Sequence, residues 1–243
     1  MALAVWALRA SGLRSETVAR GMVCLEVLLY AVYMAALVIG GIGLRLGVFA
    51  GPAPDALTVV PAVFGAVVIV LTLSTLRAVD RWERWLQARA SRASGRSAKW
   101  WKRAAGVPRA LADGLRAAGV VVRSSRIAPL AAVAYWAFDL GALWASFRAF
   151  GDPPPGAVLV VGYFVGTLAN TLPLPGGLGG VEGGMIGAFV GFGVNGSVAV
   201  LAVLAYRTIS YWIPTLPGAL AYVRLRGTVA GWRSPATGEQ PAG

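Results

Sequence analysis

Long apolar runs separated by short polar or turn-rich stretches dominate the chain. The first, Gly21 to Leu44 (GMVCLEVLLYAVYMAALVIGGIGL), is long enough at ~1.5 Å per residue to cross ~30 Å of hydrocarbon as a helix. After the turn-rich GVFAGPAPD, a second run extends from Leu57 to Leu76. A third, Ala128 to Phe150, ends at GDPPPG, and a last one covers Ser197 to Val223, where Pro214 and Pro217 predict a kink. Between these lie Ala157 to Thr171 and Val181 to Val194, each ~15 residues or ~22 Å as a helix, short of a full crossing. They are joined by LPLPGGLGG, whose prolines and glycines cannot continue a helix.

The short pair predicts a re-entrant hairpin of two half-helices, since irregular backbone is tolerated at membrane depth where protein or water surrounds it. Two thin or tilted full crossings have the same parity. Gly162 and Gly166, and Gly183, Gly187 and Gly191, form small-xxx-small faces suited to close packing. The expected fold is therefore an all-α, polytopic integral membrane bundle over residues 21–226 with a re-entrant half-helix hairpin. Residues 1–20 are expected to be a cytoplasmic tail or the stub of a truncated start, and 227–243, polar and rich in Pro and Gly, a disordered tail.

Composition narrows the function. Of 243 residues 57% are hydrophobic and 13% charged, which leaves little chain for a separate soluble catalytic domain. There is no histidine and the single cysteine is Cys24, so disulfide frameworks, Cys/His zinc sites and nucleophiles that need a histidine base are excluded. The glycine cluster is no dinucleotide fingerprint, because Glu182 holds the third glycine position and no strand precedes it. Both lysines, Lys99 and Lys102, lie in a basic loop, away from any membrane-embedded serine. No cofactor or metal is implied.

The formal charge of +12 is concentrated in one place. Thirteen Lys and Arg against three acids fall between Arg77 and Arg126, so the loop 77–127 is expected on the cytoplasmic side, with both termini there too. Val79, Trp82, Trp85 and Leu86 share a helical face, the pattern of a helix lying in the interface plane. A Ser/Gly break, SRASGRS, separates it from Trp100 and Trp101, and Leu111, Leu115 and Val122 stripe a further short helix after Pro108. Topology and anchoring account for this charge; anionic lipid headgroups are its expected partners, and nucleic acid is not.

Three ionisable residues fall near the centre of apolar runs: Asp139, Glu182 and Arg207. Each costs ~3 kcal/mol at that depth, so they are expected to face one another or a water-filled cavity. Glu182 follows the glycine break and so opens a helix, whose dipole favours its charge. The guanidinium of Arg207 suits a phosphate or a carboxylate. A substrate headgroup held by Arg207, with Glu182 or Asp139 answering a cationic or hydroxylated group, is one reading; a buried Glu182–Arg207 pair fixing helix register is the other, and a substrate that breaks the pair unites them. Glu26 is expected to snorkel or to pair with Arg20.

LPLPGGLGGVEGG (Leu172 to Gly184), AYRTISYWIPTLPGALAY (Ala205 to Tyr222) and YWAFD (Tyr135 to Asp139) resemble the flippase-like transmembrane region of lysylphosphatidylglycerol synthases and its stand-alone relatives. The resemblance covers about Leu13 to Arg226. It implies a multi-pass protein of the bacterial inner membrane that moves a polar or charged phospholipid or glycolipid between leaflets. A membrane-embedded lipid-modifying transferase and a non-catalytic scaffold of an envelope-lipid pathway are the rivals. The soluble aminoacyltransferase domain of full synthases has no counterpart, so lysyl transfer from tRNA is not implied. One or two spans that such modules carry ahead of Leu13 are also expected to be missing, as in a truncated gene model or a compact variant. The candidate substrate-binding set is Arg207, Glu182, Asp139, Gly176, Gly177, Gly179 and Tyr206; a second copy or an envelope-lipid enzyme is the expected protein partner.

Overall fold

The computed structural model describes residues 15–92, 95–124, 126–171, 179–219, 221, 222 and 224, and every regular element among them is helical. In chain order these are α1 (Ser15–Arg45), α2 (Asp55–Arg92), α3 (Gly95–Ser124), α4 (Ile127–Phe150), α5 (Gly156–Thr167), α6 (Gly180–Gly191) and α7 (Gly196–Arg207). A 3-10 turn, Leu168–Thr171, extends α5, and α7 continues through a π-turn at Thr208–Trp212. Asn195 caps α7, its side-chain oxygen accepting from the N–H groups of Ser197 and Val198 at 3.0 and 3.4 Å.

Among the described residues four helices are long and apolar enough to cross a bilayer: Gly21–Arg45, Asp55–Ser74, Ile127–Phe150 and Gly196–Ala219. They coincide with the four long apolar runs. Their outward faces carry large bare side chains such as Phe138, Ile127 and Leu130, as lipid-facing surfaces do. Residues 15–20 already belong to α1. The tail 227–243 lies outside the described residues.

α5 and α6 form the expected hairpin, and their contacts show how deep it reaches. The turns between α1 and α2, α4 and α5, and α6 and α7 meet at one end of the bundle. A Cβ on Gly51 would lie 2.6 Å from Val158, one on Gly191 would lie 2.6 Å from Leu57, and one on Gly151 would lie 3.3 Å from Val198. Near its C-terminal end α5 is level with Tyr33, the midpoint of the first span, whose hydroxyl donates to the Phe164 carbonyl at 2.7 Å and accepts from Thr167 Oγ1 at 3.1 Å. α6 returns antiparallel beside it. Each twelve-residue helix rises about 18 Å, short of the ~30 Å of a full crossing, and the outer ends of both lie at the end where the turns meet.

The glycines that allow this packing differ from those expected. A Cβ on Gly166 would lie 2.7 Å from the Met185 backbone, and one on Gly162 would lie 2.6 Å from the Phe189 ring. Gly184 contributes on the α6 side, its Cβ position lying 3.1 Å from the Gly166 carbonyl oxygen. Gly183 and Gly187 face open space and Gly191 faces Leu57, so these three are not the packing stripe. The hairpin sits inside the bundle, where Phe164, Met185 and Phe189 join Leu37 of α1, Phe147 of α4 and Val203 of α7 in the main core.

The basic region also departs from expectation. It is not a string of short interfacial helices: α2 runs unbroken from the second span to Arg92, and α3 runs through Pro108 as a single helix. α3 folds back along α2, with Trp85 and Trp101 edge to face at 6.0 Å and Arg89 4.9 Å from the Trp85 ring centre. Sequence periodicity cannot register that an amphipathic segment is continuous with the apolar one before it. Coaxial extension keeps the helical hydrogen bonds unbroken, whereas a bend at Arg77 would expose four carbonyls.

Candidate functional site

Glu182 and Arg207 form the pair at the foot of the hairpin. Gly179, at φ +81°, turns the chain into α6, a conformation that disfavours any side chain. Its N–H donates to Glu182 Oε2 at 2.8 Å, which satisfies one of the orphan donors of the helix start. The other carboxylate oxygen accepts from Arg207 Nε at 2.6 Å, and the two side chains are only 13% and 12% exposed. The guanidinium carbon lies 4.6 Å from the Tyr211 ring centre, a cation–π contact on its remaining face.

Asp139 is held differently. Its Oδ2 accepts from the hydroxyls of Tyr163 on α5 and Tyr206 on α7, the latter at 2.7 Å. One turn earlier on α4, the Trp136 indole N–H donates to the Leu29 carbonyl at 3.0 Å and ties α4 to α1. The three ionisable residues are therefore not one cluster. Arg207 belongs to Glu182, Asp139 belongs to two phenols, and adjacent positions on α7 join the two arrangements.

They meet at a chamber of about 600 Å³ lined mainly from α1, α4, α5 and α7, with Phe64 and Val68 of α2 and Met185 of α6. Asp139, Tyr163, Tyr206 and Arg207 line it, with Tyr33 and Thr167 at mid-height and Glu26 and Tyr211 further along. Glu182 stands behind Arg207 and not on the chamber wall, its two oxygens accepting from the Gly179 N–H and from Arg207 Nε. Gly179 shapes the turn without lining the chamber; Gly176 and Gly177 lie outside the described residues. Glu26 is on the chamber wall, and its expected partner Arg20 has no described side chain. Among the described residues no group of three His, Cys, Asp or Glu could hold a metal ion.

The π-turn widens the wall just after Arg207 and places Ser210 and Tyr211 on it. Pro214 explains its position. A proline there offers no N–H to Ser210, and its ring would strike that carbonyl in a regular α-helix. The Ile213 N–H reaches back five residues to Thr208 instead. Tyr163 and Thr167 escaped the sequence reading, though a signal existed. They are the only polar side chains between Gly156 and Thr167 and, four residues apart, share a helical face.

Among the described residues, four bilayer-length helices around a hairpin of two short helices and a chamber lined by Asp139 and Arg207 define a multi-pass α-helical membrane protein. The chain belongs to the family described as the lysylphosphatidylglycerol synthase TM region, whose model matches residues 1–218. Three proteins of Methanothermobacter thermautotrophicus, each named UPF0104 membrane protein, are similar to part of it. They are 39% identical over 89 residues, 36% over 86 and 34% over 87. These stretches make up 36%, 35% and 35% of this chain, and it spans only 25%, 26% and 26% of the relatives' own lengths. No solved structure matches.

Proposed function

We propose that the protein takes a polar or charged lipid headgroup into the chamber and so moves a phospholipid or glycolipid between leaflets. The observation that carries this reading is a cavity of about 600 Å³ that places Asp139 and Arg207 on its wall, at the middle of helices that otherwise face hydrocarbon. Sustaining ionisable groups at that depth costs several kcal/mol, an outlay that close-packed helices avoid. Arg207 offers an anionic group, phosphate above all, guanidinium protons beyond the Nε–H given to Glu182. Asp139 and Glu26 suit an amine or hydroxyls on the same headgroup. Tyr163 and Thr167 of the hairpin give that headgroup polar contacts halfway across.

In this reading the protein resides in the cell membrane of a bacterium. The basic α2–α3 hairpin lies on the cytoplasmic side, both termini lie there too, and the turn between α4 and α5 faces outwards. Anionic lipids meet the Arg- and Lys-rich surface of that hairpin. The test is leaflet exchange of fluorescent lipids in proteoliposomes, across anionic, zwitterionic and glycosylated headgroups. Protein-dependent exchange of at least one class is expected. Exchange no faster than in empty vesicles for every class overturns the proposal and favours a scaffold of an envelope-lipid pathway.

A further inference from the structure

A second cavity, of about 470 Å³, lies against the chamber and differs from it in chemistry. Val27, Ile69, Leu73 and Leu115 face it, and Glu26, Tyr30 and Thr72 are the polar residues on its wall. The two cavities share Glu26, Tyr30 and Met34, a stripe at four-residue spacing along α1, together with Val68 of α2. One side of that stripe thus carries Asp139 and Arg207, and the other is hydrocarbon-like. Along α1 the apolar cavity runs from Met22 to Met34, about 18 Å of helix, close to the ~15 Å depth of a single leaflet. α3 closes one flank: a Cβ on Gly114 would lie 2.2 Å from Val23, so the α3 backbone sits directly on α1 there, with Leu115 beside the cavity.

We propose that this cavity is an acyl-chain site, in which one chain of the lipid whose headgroup occupies the chamber crosses the Glu26–Tyr30–Met34 stripe and lies between α1, α2 and α3. The inference rests on the headgroup reading above and adds that the protein, not only the surrounding bilayer, holds part of the tail. A slot of one leaflet's depth, apolar on its walls and sharing the Glu26–Tyr30–Met34 wall with a site for a charged group, matches the division of an amphiphile into headgroup and chain. The ligand class is a lipid with an anionic headgroup and an acyl chain of ordinary bilayer length.

The test uses the intact protein in phosphatidylethanolamine–phosphatidylglycerol nanodiscs, with a phosphatidylglycerol probe bearing a diazirine near the end of one acyl chain. Photolabelling at Val27, Leu73 and Leu115 is expected to exceed labelling at Phe138, which is 82% exposed on the lipid face, by at least fivefold. Ala31→Trp, which puts an indole into the cavity, is expected to remove most of that excess. In a parallel arm, binding of water-soluble dihexanoylphosphatidylglycerol is measured for wild type and Arg207→Ala. Labelling no stronger in the cavity than at Phe138, with short-chain binding still lost in Arg207→Ala, overturns the acyl-chain site and leaves the headgroup site standing. Short-chain binding indifferent to Arg207 overturns the headgroup site and, with it, the shared-lipid arrangement, whatever the labelling pattern.

Discussion

Replacing Glu182 with Ala should cost about 3 kcal/mol of stability, because it strands a guanidinium that is only 12% exposed. Two unit charges 4 Å apart interact by about 4 kcal/mol at an effective dielectric of 20. Residual solvent contact at Arg207 and the desolvation of both groups reduce the net coupling to about 2–3 kcal/mol. Arg207→Ala should cost a similar amount, and the double variant little more than either single one, since removing both partners leaves no unpaired charge. Thermal unfolding in detergent micelles reads this as a Tm fall of about 6–12 °C for each single variant. Glu182→Gln, which keeps an acceptor for the Gly179 N–H, isolates the charge and should fall between wild type and Glu182→Ala. Additive single variants, with coupling below ~0.5 kcal/mol, would refute the claim that this is a buried, mutually dependent pair.

Three further outcomes follow from particular contacts. Gly166→Ala should destabilise by about 1–3 kcal/mol, because the new Cβ meets the Met185 backbone. Gly187→Ala, with open space around it, should be neutral or slightly stabilising, and thermal unfolding of the two variants checks the contrast in sign. Tyr163→Phe and Tyr206→Phe each remove a hydrogen bond to a carboxylate and should each cost about 1.5–3 kcal/mol, while slowing lipid exchange severalfold; an unchanged rate in both would place Asp139 outside the transport path. In a Cys24→Ser background, Arg92→Cys should react with membrane-impermeant maleimide only from the cytoplasmic side, and labelling of intact cells from outside would invert the topology.

Much of the fold was legible because hydrocarbon imposes a length on every crossing. The four long runs became four spans, and the shortfall of the two glycine-flanked runs already separated the hairpin from them. The Glu182–Arg207 pair was legible for the same reason, since a lone arginine at that depth needs an anion and the glutamate that opens α6 is well placed to supply one. What the sequence hid depends on azimuth and continuity. Asp139, Glu182 and Arg207 look like one cluster by depth, yet the tyrosines of α5 and α7 claim Asp139. Five glycines look alike by spacing, yet only Gly162 and Gly166 meet the opposing helix, joined by Gly184, which lies outside the pattern. The basic stretch looks interfacial by composition, but α2 simply continues into it. The π-turn is the deepest omission, because a proline announces a kink and not the manner in which the helix absorbs it.

The most direct measurement of the central claim is dithionite quenching of a fluorescent phospholipid in proteoliposomes holding wild-type protein, Arg207→Ala or Asp139→Asn at equal, folded amounts. Inner-leaflet fluorescence is expected to fall rapidly with wild type and at rates near those of empty vesicles with both variants. Wild-type exchange that survives both substitutions would contradict the claim.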